Sequence, residues 1–151
     1  MANSPQQLQQ IRKECRSLVR KRALLSAGAA AVPVPLLDVV VDAGILLDLI
    51  PDISRRFGLA PEHIEAMDAA QQQSTWTTIR QRGSQLLGIV VTRQLVRSTF
   101  QTYAKRLLAA QVAKFVPFGG QVLAAGLGYF VMRQIAYKHV EDCFVVATAA
   151  A

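Results

Sequence analysis

Apolar positions in the first part of the chain recur at intervals of three, four or seven. Leu8, Ile11, Cys15, Leu18 and Leu25 mark one face, while Arg12, Lys13, Arg16, Arg20, Lys21 and Arg22 occupy other positions. Ser4, Pro5 and Gln7 supply an N-cap, a first-turn proline and a capping-box partner, so a basic amphipathic helix is predicted over about 5–31. From position 23 the chain reads ALLSAGAAAVPVPLL, without a charge, and Pro33 and Pro35 must end the helix. A second helix is predicted over about 36–57, closed by Gly58 with Leu59 and Pro61 just beyond, the arrangement of a glycine C-cap. Pro61 opens a short acidic helix, PEHIEAMDAAQQQ. Helical periodicity resumes from about Ser74 to Phe115, with an interruption expected at Gly83 and Ser84, and a last helix is predicted over about 117–146. No run alternates apolar and polar residues over strand length. The expected fold class is all-α: one helical domain over residues 1–151, a compact bundle of about five helices. Those at about 36–57 and 117–146 are expected to be long, apolar and rich in small residues.

Charge changes this picture. The net charge is +7, all ten acids lie at 14–68 or at 141 and 142, and nine Lys or Arg residues fall in the acid-free window 69–140. Such a field favours an anionic lipid surface, a nucleic acid or an acidic protein. Aromatics make up only 7% of the chain and are not interleaved with the basic residues, so nucleic acid is not an expected partner. Cys15 and Cys143 read as free thiols of a protein made in a reducing cytoplasm, and no apolar core follows a charged leader as a secretory signal requires. His63 and His139 have no Cys, His or carboxylate partner at metal spacing. There is also no phosphate loop, dinucleotide fingerprint or nucleophile elbow. No catalytic residue, metal or cofactor is expected, and His139 with Glu141 and Asp142 reads as a helix terminus facing water.

Two patterns carry the functional reading. Asp38, Asp42, Asp48 and Asp52 fall within an arc of about 120° at 100° per residue, a narrow acidic stripe on a strongly apolar helix. It suits either a wet helix face, with Arg56 pairing Asp52 one turn back, or a stripe that meets basic residues of other helices or lines an aqueous path in a bilayer. The second pattern is FVPFGGQVLAAGLGYFVM, residues 115–132, without a charge. Gly120, Ala124 and Gly128 lie four apart along one face with Gly126 nearby, a strip that lets helix backbones approach closely in a bundle or in a membrane oligomer. Ten large apolar residues between 36 and 50 contribute about −3 to −6 kcal/mol of insertion energy against about +7 to +10 kcal/mol for three aspartates, whereas 115–132 is close to neutral.

Residues 29–59, AAAVPVPLLDVVVDAGILLDLIPDISRRFGL, resemble the Val-Pro, Asp-rich helix and closing Phe-Gly-Leu of EcsC-like helical domains. Residues 114–143, KFVPFGGQVLAAGLGYFVMRQIAYKHVEDC, are similar to the Pro-Gly-Gly helix of the domain that follows the GTPase module in immunity-related GTPases. These resemblances imply an all-α, membrane-associated domain without catalytic residues of its own; no nucleotide-binding module accompanies it here. In overall character the chain also resembles small pore-forming effectors of the type VI secretion system. That resemblance implies a protein made in the bacterial cytoplasm and carried in a secretion tube to depolarise a recipient's inner membrane, with an immunity protein as a further partner. The leading expectation is a pore-former that binds anionic lipid through Arg12, Lys13, Arg16, Arg20, Lys21 and Arg22 and self-assembles through its small residues. The alternative is a soluble EcsC-like bundle serving as a peripheral membrane adaptor or protein-interaction module.

Overall fold

Each helix boundary follows from a local hydrogen-bonding device. In the computed structural model, residues 3–29, 37–111 and 120–150 are described, with side chains at 3–24, 44–103, 105–106 and 130–150. The capping box forms: Ser4 Oγ accepts from the Gln7 N–H at 3.2 Å and Gln7 Oε1 accepts from the Ser4 N–H at 2.8 Å. It starts α1, Pro5–Ala29. The second helix, α2, spans Leu37–Arg56. It ends in a Schellman closure, with the Gly58 N–H on the Arg55 carbonyl at 3.0 Å and the Leu59 N–H on the Ser54 carbonyl at 2.8 Å. Gly58 takes φ 70°, as that closure requires. Pro33, Pro35 and Pro117 lie outside the described residues.

The expected acidic helix is two helices. After α3, Pro61–Glu65, the chain turns, and the Asp68 carboxylate accepts from the Gln71 N–H at 2.8 Å to start α4, Ala69–Arg82. An N-capping aspartate in mid-segment was the missed signal. Gly83, at φ 68°, closes α4 where an interruption was expected. The break runs on to Thr92, whose hydroxyl accepts from the Leu95 N–H at 3.2 Å at the start of α5, Arg93–Gln111. Gly88 in this connection, at φ 79°, passes so close to Trp76 that an added Cβ would stand 2.8 Å from the ring and 3.1 Å from Ile64 Cδ1. Gly88→Ala is therefore expected to cost about 1–3 kcal/mol, read as a lower urea midpoint at unchanged m-value.

The last helix, α6, Gly120–Ala150, organises the rest. At 1.5 Å per residue its 31 residues run about 46 Å, and it packs against α1, α2, α4 and α5. Between Val131 and Ala147 its buried positions spread over about half of its circumference at 100° per residue. The core around it takes Leu8, Cys15, Val19 and Ala23 from α1 and Leu46, Leu49, Ile50 and Ile53 from α2. The described residues form no strand, and the fold they build is all-α.

One expectation needs correction. Helices stand near 36–57 and 117–146, yet among the described residues no helix is long and apolar enough to cross a membrane. Asp38, Asp42, Asp48 and Asp52 interrupt α2, while Gln121, Arg133, Gln134 and Lys138 dilute the apolar residues of α6.

Candidate functional site

The polar residues of α6 concentrate at 138–142, where the helix meets three neighbours. Counting 100° per residue, His139 sits near the middle of the buried arc, between Ile135 one turn before and Cys143 one turn after, and is 2% exposed. The expectation of a water-facing terminus at His139, Glu141 and Asp142 is thus overturned. α6 continues through them to Ala150, and burial on both sides of His139 carries the ring inward.

Each polar group there engages a different helix. His139 Nε2 lies 2.8 Å from Ser54 Oγ of α2 and 3.5 Å from Cys143 Sγ. The Glu141 carboxylate accepts from both ends of the Arg12 guanidinium, at 3.0 and 2.7 Å, and from Arg16 at 2.8 Å, both on α1. Asp142, 2% exposed, receives Arg82 of α4 on Oδ1 at 3.0 Å and Lys138 on Oδ2 at 2.7 Å. The forked, charge-assisted Arg12 contact is the stronger kind of ion pair. It is reinforced by stacking of Arg12 over Phe144, 4.8 Å from the ring centroid. Three residues within a single turn therefore fasten α6 to α1, α2 and α4.

Burial sets the electrostatics. Desolvation lowers the His139 pKa to about 4, offsetting the opposing pull of Asp142 and the Ile50 carbonyl, so the ring is neutral at pH 7. Burial alone would raise the Glu141 carboxyl, but the Arg12 hydrogen bond, with the charges of Arg12 and Arg16, brings it below its ordinary value. Burial pushes Cys15 up to about 11 and Cys143 well above the usual thiol range, so both stay protonated. They are free thiols, both buried.

Ser54 and His139 have the spacing of a nucleophile and its base, but the arrangement stops there. Ser54 is 4% exposed, His139 Nδ1 meets no carboxylate, and both Asp142 oxygens are held by cations. Among the described residues no three His, Cys, Asp or Glu groups are placed to hold a metal ion.

The residues singled out from sequence are dispersed. Arg12 and Arg16 are engaged with Glu141, Lys13, Arg20 and Lys21 are exposed, and Arg22 is half-buried. In the acidic stripe Asp52 pairs with Arg56 at 3.3 Å, Asp48 is exposed, and the side chains of Asp38 and Asp42 lie outside the described ones. Gly120, Ala124, Gly126 and Gly128 occupy the first turns of α6, and what their face meets lies outside the described side chains. Sequence reasoning missed Ser54, Arg82 and Lys138. Lys138 and Asp142 stand four apart, a readable helical pair, but nothing local announces Arg82, sixty residues away. Comparison of the chain with protein-family models, curated proteins and solved structures finds no match.

Proposed function

We propose that the chain is a non-enzymatic, membrane-active helical protein: a small pore-forming toxin of the type VI secretion effector kind, which permeates a membrane to ions and depolarises it. The observation that carries this reading is the construction of α6. An uncharged, glycine-punctuated run carries into its first turns, its next segment is stowed among four helices, and its His139, Glu141 and Asp142 are engaged by groups of α2, α1 and α4. Exchanging those partners for lipid headgroups and for other copies of the chain requires separating α6 from its neighbours. The exposed Lys13, Arg20 and Lys21 supply the first contact with anionic lipid. In this reading the protein is made in a bacterial cytoplasm and acts at an inner membrane, that of a recipient cell after secretion. A secretion tube and an immunity protein are its further partners. The small-residue strip Gly120, Ala124, Gly126 and Gly128 is its self-assembly face, the acidic stripe on α2 lines the wet path, and the segments around 23–50 and 115–132 form its membrane-entering part.

Purified protein is expected to release potassium from vesicles of phosphatidylethanolamine and phosphatidylglycerol. Vesicles that stay ion-tight over a wide protein concentration overturn the proposal. A second reading, a soluble EcsC-like bundle acting as a membrane adaptor or interaction module, is favoured by the lack of a membrane-crossing helix among the described residues. Gly120→Leu with Gly128→Leu separates the two: it unfolds an adaptor that uses the strip as core, and leaves a pore-former folded but inactive.

A further inference from the structure

Beside the polar turn of α6 lies a cleft of about 200 Å³, walled by the 83–86 connection, by α5 and by α6. It is smaller than the roughly 300–1,000 Å³ of drug-sized pockets. Arg106 lines it from α5 and Lys138 from α6; Arg106 has no carboxylate partner among the described residues. Asp142 also lines it, but its two oxygens are occupied by Arg82 and Lys138, so two lining cations stand beside a carboxylate already paired. Thr99 and Thr102 spend their hydroxyl protons on their own helix, on the Leu95 and Ser98 carbonyls. Ser84, Gln85 and Tyr103 make no side-chain hydrogen bond among the described residues and remain available as donors. The carbonyl end of α4 approaches the same loop, but its Ile79 and Arg80 carbonyls are already capped by the Ser84 and Gly83 N–H groups.

His139 also lines the cleft, which makes its ring a reporter of whatever binds there. Its Nε2 meets the Ser54 hydroxyl at 2.8 Å and the Cys143 thiol at 3.5 Å, both able to donate. Its Nδ1 has no hydrogen-bond partner and is shut off from solvent, and so from anything held in the cleft. Cations beside unspent hydroxyl and amide protons call for a small ligand rich in acceptors and negative charge.

We propose that this cleft recognises a phosphate group, with Arg106 and Lys138 neutralising its charge and Ser84, Gln85 and Tyr103 donating to its oxygens. The group belongs either to a soluble phosphate compound or to a lipid headgroup. The inference stands on the cleft alone, so phosphate binding and vesicle leakage succeed or fail separately.

The test is an NMR titration of the isotopically labelled full chain with inorganic phosphate, at ionic strength held constant with sodium chloride. The His139 imidazole resonances are expected to shift saturably with phosphate and to stay put with added chloride. Arg106→Gln, at an exposed position, is expected to keep the fold and weaken binding by about tenfold or more. Arg55→Gln, at an exposed position of α2 that does not line the cleft, is expected to bind as the wild type does. Phosphatidylcholine vesicles containing phosphatidic acid then distinguish the sources. Displacement of bound phosphate by them assigns the site to a lipid headgroup, and retention assigns it to a soluble compound. The proposal is overturned if the folded wild type shows no saturable shift, if chloride reproduces the shift, or if Arg106→Gln binds phosphate with unchanged affinity.

Discussion

Replacing Arg82 and Lys138 together by glutamine destabilises the protein more than removing the Asp142 carboxylate that both of them bind. The double variant is expected to lose about 3–5 kcal/mol, and Asp142→Ala about 1–2 kcal/mol. Both changes delete the same two charge-assisted hydrogen bonds, so the difference lies in what is left behind. Asp142 is 2% exposed, and without its cations it is a buried charge with nothing to replace its hydration. Arg82 and Lys138 are 39% and 45% exposed, and without the carboxylate they turn to water at little cost. Urea denaturation of both variants and of the triple Arg82→Gln, Lys138→Gln, Asp142→Leu checks this. The triple is expected to recover most of the double variant's loss, because it removes the stranded charge. A double variant no worse than Asp142→Ala would mean that Asp142 is hydrated in the folded protein.

Legibility from sequence divides along local and long-range lines. The capping box at Ser4 and Gln7 and the Gly58 closure could be read because donor, acceptor and glycine lie within six residues of each other. The Asp52–Arg56 pair was legible for the same reason, as an i, i+4 contact. Asp68 was passed over because its helix follows another after a gap of only three residues, and the continuous polar composition hid the cap. The polar turn of α6 failed for a different reason. With four helices packed around it, α6 has no clean polar face, so periodicity does not announce which side is inward. The spacing of Ile135, His139 and Cys143 held the clue: a histidine between two apolar residues, each one turn away, is a core position. Its partner Ser54 and the Arg82 of Asp142 come from distant parts of the chain, and only the packing of α2 and α4 on α6 brings them there.

That buried histidine makes stability depend on pH in a window of its own. In the unfolded chain His139 titrates near its ordinary value of 6.5, and in the folded protein at about 4, chiefly because burial disfavours the imidazolium. The unfolded state therefore takes up the proton first, and folding stability falls as the pH drops from about 6.5 towards 4, by up to about 3 kcal/mol. Glu141 acts in a lower window. Its folded pKa lies below the ordinary 4.5, so the stability contributed by Arg12 and Arg16 is present above that value and lost as the pH falls through the folded one. Acid thus acts first on the contact between α6 and α2 at Ser54, and next on the clamp to α1. Urea midpoints measured from pH 7 to 4.5 are expected to fall steeply for the wild type and for His63→Gln, whose histidine is exposed, and only shallowly for His139→Gln. The slope is the readout, because His139→Gln also changes absolute stability by altering the Ser54 hydrogen bond. A His139→Gln variant that keeps the wild-type slope would place the titrating group elsewhere. If separation of α6 is what admits the protein to a bilayer, ion release from vesicles should rise over the same pH interval in the wild type and lose that dependence in His139→Gln.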